Sequence, residues 1–94
     1  MLIDDFVWLP DIIEKLVSKH QVTEDEAEEI FFSQPRYRFV ESGYRPEEDV
    51  YSAWGQTESG RYLIVFFIHK SANTALILSA RDMDVKERKR YERK

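Results

Sequence analysis

Arg81, Arg88 and Tyr91 stand close together in LILSARDMDVKERKRYERK, the last stretch of the chain, residues 76–94. Arginine keeps its charge at any working pH and offers phosphate oxygens a planar fork of N–H donors. Arg81 follows an apolar run that reads as a buried strand, so its base is stiff while its head reaches a surface. The competing reading is a salt bridge to Asp82, Asp84 or Glu87. Arg88 and Tyr91 lie three residues apart on a helix, on neighbouring faces. Arg88 suits a phosphate grip. Tyr91 suits a proton relay or a stacking platform, or simply packs on the sheet. Glu87 reads first as a helix cap and second as an active-site carboxylate. His20 and His69 titrate intrinsically near neutrality, which suits proton transfer; His20, at a helix end, equally suits capping of carbonyls.

A basic cluster of Lys86, Lys89, Arg90, Arg93 and Lys94 surrounds these residues, either as an anion-binding face or as a solvated helix surface. Arg36, Arg38 and Arg61 flank sheet positions and add candidate phosphate contacts, as does Lys70 beside His69. The net charge is nevertheless −4. Residues 1–50 hold 5 Lys/Arg against 13 Asp/Glu, and residues 51–94 hold 9 against 5. That asymmetry implies two differently charged surfaces.

These side chains need a frame. With 94 residues, 43% hydrophobic and 34% charged, the chain has the profile of one globular domain spanning residues 1–94. It contains no cysteine, which excludes disulfides and thiolate metal sites. Two distant histidines give no metal-ligand spacing, and no cofactor is expected. No apolar run is long enough to span a membrane. The start, MLIDDFVWLP, is acidic and does not resemble a signal peptide, so a cytoplasmic setting is expected.

Phe6-Val7-Trp8 reads as a short extended piece. Pro10 suits the first turn of a helix. Ile12, Ile13, Leu16 and Val17 give that helix an apolar stripe, and Lys19 and His20 close it. Thr23 and Glu26 form a capping box for a second helix through Phe32, with Ala27, Ile30 and Phe31 inward and Glu24, Glu28 and Glu29 solvated. Pro35 stops it. Strands follow at Tyr37–Val40, Val50–Gln56, Tyr62–Ile68 and Thr74–Ser79. The third is apolar on both faces, which predicts a central strand covered on both sides. Asp84 and Glu87 repeat the capping-box spacing and open a last helix through Tyr91. Tight turns between the later strands predict a small α+β domain: a four-stranded antiparallel sheet, two N-terminal helices and one C-terminal helix, with the helices on one face.

Ser79-Ala80-Arg81, then Glu87-Arg88 and Tyr91-Glu92, resemble the S-A-R and E-R-x-x-Y-E motifs of the BrnT family of type II toxins. Phe6-x-Trp8-x-Pro10 is similar to the family's F-x-W-D-P. Lys19-His20-x-Val22 with Glu26-Ala27 and Phe31 is similar to K-H-G-V…E-A…F, and Ser59-Gly60-Arg61-x-Leu63 to its hairpin and central strand. In this chain Gln21 replaces the glycine after the histidine, and Leu9 the aspartate after the tryptophan. Val50, His69-Lys70 and Leu76 stand where the family carries further charged residues.

The resemblance implies a RelE-like fold and metal-independent cleavage of RNA. Arg81, Arg88, Tyr91, His20 and His69 become the catalytic candidates, and Arg61, Lys70, Lys86, Lys89 and Arg90 the RNA-binding ones. It further implies a cognate antitoxin of the BrnA type, with operator DNA met only through that antitoxin. The alternative is a catalytically silent, protein-binding regulatory module that keeps the toxin fold.

Overall fold

The computed structural model describes residues 1–93; Lys94 of the basic cluster lies outside the described residues. The elements are β1 (Asp5–Val7), α1 (Pro10–Lys15), a wide π-type turn (Leu16–His20), α2 (Glu24–Phe32), β2 (Arg36–Glu41), β3 (Val50–Gln56), β4 (Tyr62–Lys70), β5 (Thr74–Asp82) and α3 (Val85–Glu92). The fold is α+β, as the pattern predicts. The sheet is not four-stranded and antiparallel, however: it has five strands in the order β1-β5-β4-β3-β2. The added strand is Phe6's extended piece, which pairs in parallel with β5 through Asp5–Thr74, Phe6–Ala75 and Val7–Leu76. β4 occupies the centre, where its unbroken apolar run requires it to be.

Strand alternation sorts the side chains. One face carries Ala53, Leu63, Val65, Phe67, Ala75, Ile77 and Ala80, all buried under Leu16, Val22, Ala27, Ile30 and Phe31. Phe31 and Phe67 meet edge to face at 5.1 Å. This is the main core. Gly55 lets α2 approach β3: a Cβ there would stand 3.0 Å from Ser33 Oγ and 3.1 Å from Ile30 Cγ2.

The helices do not share one face. α1 and α2 cover the core side, whereas α3 lies on the opposite side, across Tyr62 of β4. Tyr91 meets the Tyr62 ring at 6.0 Å, Arg88 stacks on that ring at 4.1 Å, and Arg36 approaches Tyr91 at 5.9 Å. α3 has no buried residue, so no apolar stripe directs it to the core layer. Cation–π and aromatic contacts place it instead.

Two one-residue bulges shape the groove face. On β5, Phe66 pairs with Ser79 but Phe67 with Ile77, so Leu78 is the extra residue. The insertion shifts the alternation by one. Ala80 thereby joins the core face, and Arg81, opposite Ile64, turns to the α3 side. β5 also runs three residues beyond its predicted end, so Arg81 lies inside the strand and not after it. On β2 the extra residue is Val40, between the Phe39–Tyr51 and Glu41–Val50 pairs. Among the described residues, no helix is long and apolar enough to cross a membrane.

Candidate RNA-binding groove

A groove of about 470 Å³ lies between the α3 side of the sheet and the start of α3, lined by Arg38, Trp54, Phe66, Arg81, Lys86 and Arg90 with Phe39, Val40, Ser52, Asp84 and Glu87. Its floor follows from strand register: Arg38 pairs with Ser52, Ser52 with Phe66, and Phe66 with Ser79, so these residues form one row. Trp54 sits one row along, between Arg36 and Ile64. Its ring is buried, and its Nε1–H donates to Ser52 Oγ at 2.9 Å. Above this floor stand two guanidinium groups. Arg38 lies 5.6 Å from the Trp54 ring and Arg81 lies 5.6 Å from the Phe66 ring.

Arg81 is held by the first turn of α3. Its Nη1 donates to Glu87 Oε1 at 2.7 Å and its Nη2 to Glu87 Oε2 at 2.8 Å; Nη1 also donates to the Asp82 carbonyl at 3.2 Å. Glu87 is fixed in turn by the capping box, in which its Oε1 accepts from Asp84 N–H at 2.9 Å while Asp84 Oδ1 accepts from Glu87 N–H at 2.8 Å. The Arg81 hydrogen bonds, chiefly, bring the Glu87 carboxyl down to about 2, against partial burial that works the other way. The same hydrogen bonds raise the Arg81 pKa further. Both expected roles of Glu87 therefore meet at one place: it caps α3, and its carboxylate faces the groove.

The other candidates divide by position. Lys86 and Arg90 line the groove rim, and with Lys89 and Arg93 they also surround a shallow hollow on the outer side of α3. Arg88 and Tyr91 sit behind the groove, Arg88 stacked on Tyr62 and Tyr91 meeting it edge to face, and Arg88 Nε also lies 3.8 Å from Glu92. Arg61 lies on the core side, immediately before the start of the central strand β4. Its Nε and Nη2 donate to Asp82 at 2.8 and 3.1 Å, its Nη1 to the Gln21 carbonyl at 2.6 Å and to Glu26 at 3.2 Å, and its Nη2 also to the His20 carbonyl at 2.8 Å. It ties the α1 exit to the β4–β5 end. His20 shares that corner, through its carbonyl and its charge effect on Asp82.

His69 and Lys70 lie at the other end of β4. His69 pairs with Ala75 whereas Arg81 pairs with Ile64, five residues back along the strand or about 17 Å. There they line a separate hollow with Glu47, Asp49 and Tyr51, and Lys70 Nζ lies 3.8 Å from Glu48. Neither histidine lines the groove that holds Arg81.

Trp54, Phe66 and Ser52 escape the sequence reading as site residues. A signal for the groove is present, since Arg36-Tyr37-Arg38-Phe39 alternates guanidinium and aromatic groups, putting both arginines on one face. That Trp54 and Phe66 share that face depends on pairing register, which the local pattern does not carry.

The arrangement gathers cations around an aromatic floor, which is chemistry for a chain of phosphates and flat bases. Among the described residues no group of three or more His, Cys, Asp or Glu could hold a metal ion. No curated protein matches the chain. A family model described as "Ribonuclease toxin, BrnT, of type II toxin-antitoxin system" matches residues 8–87. That span runs from Trp8, whose indole N–H donates to Glu28 of α2 at 2.7 Å, to the carboxylate that holds Arg81, and the chain belongs to the BrnT family of ribonuclease toxins.

Proposed function

We propose that this protein is the toxin of its pair and cleaves RNA internally, without a metal ion, in the groove between the sheet and α3. The observation that carries the reading is the pair of guanidinium groups, Arg38 and Arg81, set over Trp54 and Phe66 with Lys86 and Arg90 on the rim. In the proposed reaction the ribose 2′-oxygen attacks phosphorus and loses its proton. The bond to the 5′-oxygen breaks, and that oxygen gains a proton. The products are a 2′,3′-cyclic phosphate and a 5′-hydroxyl. Arg81 neutralises the charge that builds on the phosphorane, where a preorganised donor contributes most. Arg38, Lys86 and Arg90 hold flanking phosphates. Arg88 and Tyr91 brace the helix that carries the rim cations. His20, His69 and Tyr91 stand off this groove, so proton transfer falls to water.

Type II family membership brings an antitoxin partner. That it is a BrnA-type protein, that operator DNA is met only through it, and that the setting is cytoplasmic belong to the proposal, as does a RelE-like mode of action.

The test is end-labelled single-stranded RNA incubated with purified protein in the presence of a chelator. Cleavage leaving cyclic phosphate ends, abolished by Arg81→Ala, is expected; no cleavage by the parent protein, or equal cleavage by the variant, rejects the reading. The double hydrogen bond from Arg81 to Glu87 favours a second reading, a silent binding module, because the guanidinium already has a counter-ion. Induced expression separates the two: growth arrest relieved by Arg81→Ala supports the nuclease, and harmless expression supports the module.

A further inference from the structure

The Arg81–Glu87 pair has a geometry that a mere counter-ion does not require. A guanidinium has five N–H groups. At Arg81, Nη1 uses both of its own on Glu87 Oε1 and the Asp82 carbonyl, and Nη2 uses one on Glu87 Oε2. The Nε–H and the second Nη2–H have no partner among the described residues. These two lie side by side on the other edge of the plane, and together they form a second fork of the kind that grips two oxygens of one phosphate. The plane itself is fixed from three directions: the Phe66 ring beneath at 5.6 Å, the Glu87 carboxylate at one edge and the Asp82 carbonyl beside it.

We propose that Glu87 is a positioning residue: it holds Arg81 end-on so that the Nε/Nη2 edge is presented, already aligned, to the scissile phosphate. This rests on the groove being the RNA site. Glu87 is not displaced when RNA binds. Its side chain is only 20% exposed, and releasing it would leave an unpaired carboxylate inside an anion site. Its charge is offset by the nearby Arg90, which also helps keep it ionised, and by Lys86 on the rim. The phosphate therefore adds to the pair, and the guanidinium bridges carboxylate and phosphate. The gain is orientation. A guanidinium on a flexible stem samples many directions, and a misplacement of an ångström in a reacting assembly costs up to about 100-fold in rate.

The experiment uses Glu87→Gln and Glu87→Asp in the full chain, with folding checked by circular dichroism. Glu87→Gln keeps an oxygen for the Asp84 N–H but faces Nη2 with a donor. Glu87→Asp keeps the charge and withdraws it by one methylene. Both are expected to lower kcat about 10- to 100-fold with KM unchanged or lower. An unchanged kcat in the folded variants means Glu87 only caps the helix, and a raised kcat/KM means it is an inhibitory counter-charge; either outcome overturns the proposal. A second measurement stands apart from turnover: the arginine side-chain NMR signals are followed while a single-stranded 2′-O-methyl oligonucleotide is added. The Arg81 Nε–H signal should move while its Nη signals stay resolved by the Glu87 pair. Averaged Nη signals, or an unmoved Nε–H, reject the inference. If the parent protein cleaves no RNA, the nuclease reading fails while this spectrum still decides the role of Glu87.

Discussion

The Arg61 guanidinium grips the Asp82 carboxylate side-on, through Nε at 2.8 Å and Nη2 at 3.1 Å, while its other N–H groups reach the carbonyls of His20 and Gln21. One side chain thus joins the start of β4, the end of β5 and the exit of α1. Arg61→Ala leaves two carbonyls and two carboxylates without their partner. The side chain is a quarter exposed, so water replaces part of the loss, and a destabilisation of about 2 kcal/mol is expected. In a chain this short that lowers Tm by about 10 °C, measurable by thermal unfolding. Arg61→Lys should recover little of it, because an ammonium does not reproduce the fork.

Acid should weaken the fold through three carboxylates. Glu87 is held down chiefly by Arg81, Asp82 chiefly by Arg61, and Glu26 chiefly by the Thr23 backbone N–H. A carboxylate with a depressed folded pKa binds fewer protons in the native state than in the unfolded one. Its contribution is therefore complete above the ordinary carboxylate range and is lost as pH falls through the folded value. For Glu87 that window runs from 4.5 down to about 2. Tm measured across it should fall for the parent protein, and the fall should be shallower for Arg81→Ala.

Gln21 adopts a left-handed backbone with φ of 51° and ψ of 40°, directly after the wide turn of Leu16–His20. Its N–H reaches Val17 at 3.2 Å, and Val22 N–H reaches Leu16 at 3.0 Å. A side chain in this conformation is strained where glycine is not. Gln21→Gly is expected to stabilise the protein by about 0.5–1 kcal/mol, a gain reduced by glycine's larger unfolded-state freedom. A lower denaturant midpoint for the variant would contradict the assignment.

Binding of RNA should weaken steeply with salt, since phosphate contacts release counter-ions. Lys86→Ala and Arg90→Ala should each reduce the slope of log K against log salt by about 0.7, the single-strand value per contact. A fluorescent 2′-O-methyl oligonucleotide titrated at several salt concentrations gives the slope. An unchanged slope places the cation outside the RNA path.

The legible parts of this fold are those governed by neighbours in sequence. Thr23 with Glu26 and Asp84 with Glu87 both close the capping boxes that their spacing announces. Ala27, Ile30 and Phe31 are buried as the helical period requires. Val17 departs from its expected stripe and is half exposed, because the π-type turn rotates the face that follows Leu16. The parts that are not legible depend on distant partners. β1 is three residues long, and only its pairing with β5 makes it a strand. α3 carries no apolar stripe, so its side of the sheet is decided by Tyr62, far earlier in the chain. The sequence marks Arg81 as the central arginine, but its companions Trp54 and Phe66 arrive through register alone.

The supernumerary Leu78 has one more consequence. Along a pleated ribbon, odd and even positions look opposite ways, so the direction of the groove arginine is set by counting as much as by residue type. Ile77 and Ala80 look the same way only because Leu78 and Ser79 together stand opposite Phe66. If Leu78 is removed, the Phe67–Ile77 and Phe66–Ser79 pairs become ordinary neighbours, and Ala80 and Arg81 keep their directions. A residue added between Ser79 and Arg81 finds no such slack and would turn Arg81 inward, against the helical layer. This stretch is therefore buffered against shortening and brittle to lengthening. A frame-preserving loss of codon 78 should leave the groove arginine in place, whereas a codon gained three positions later should disarm the chain as completely as loss of the guanidinium itself.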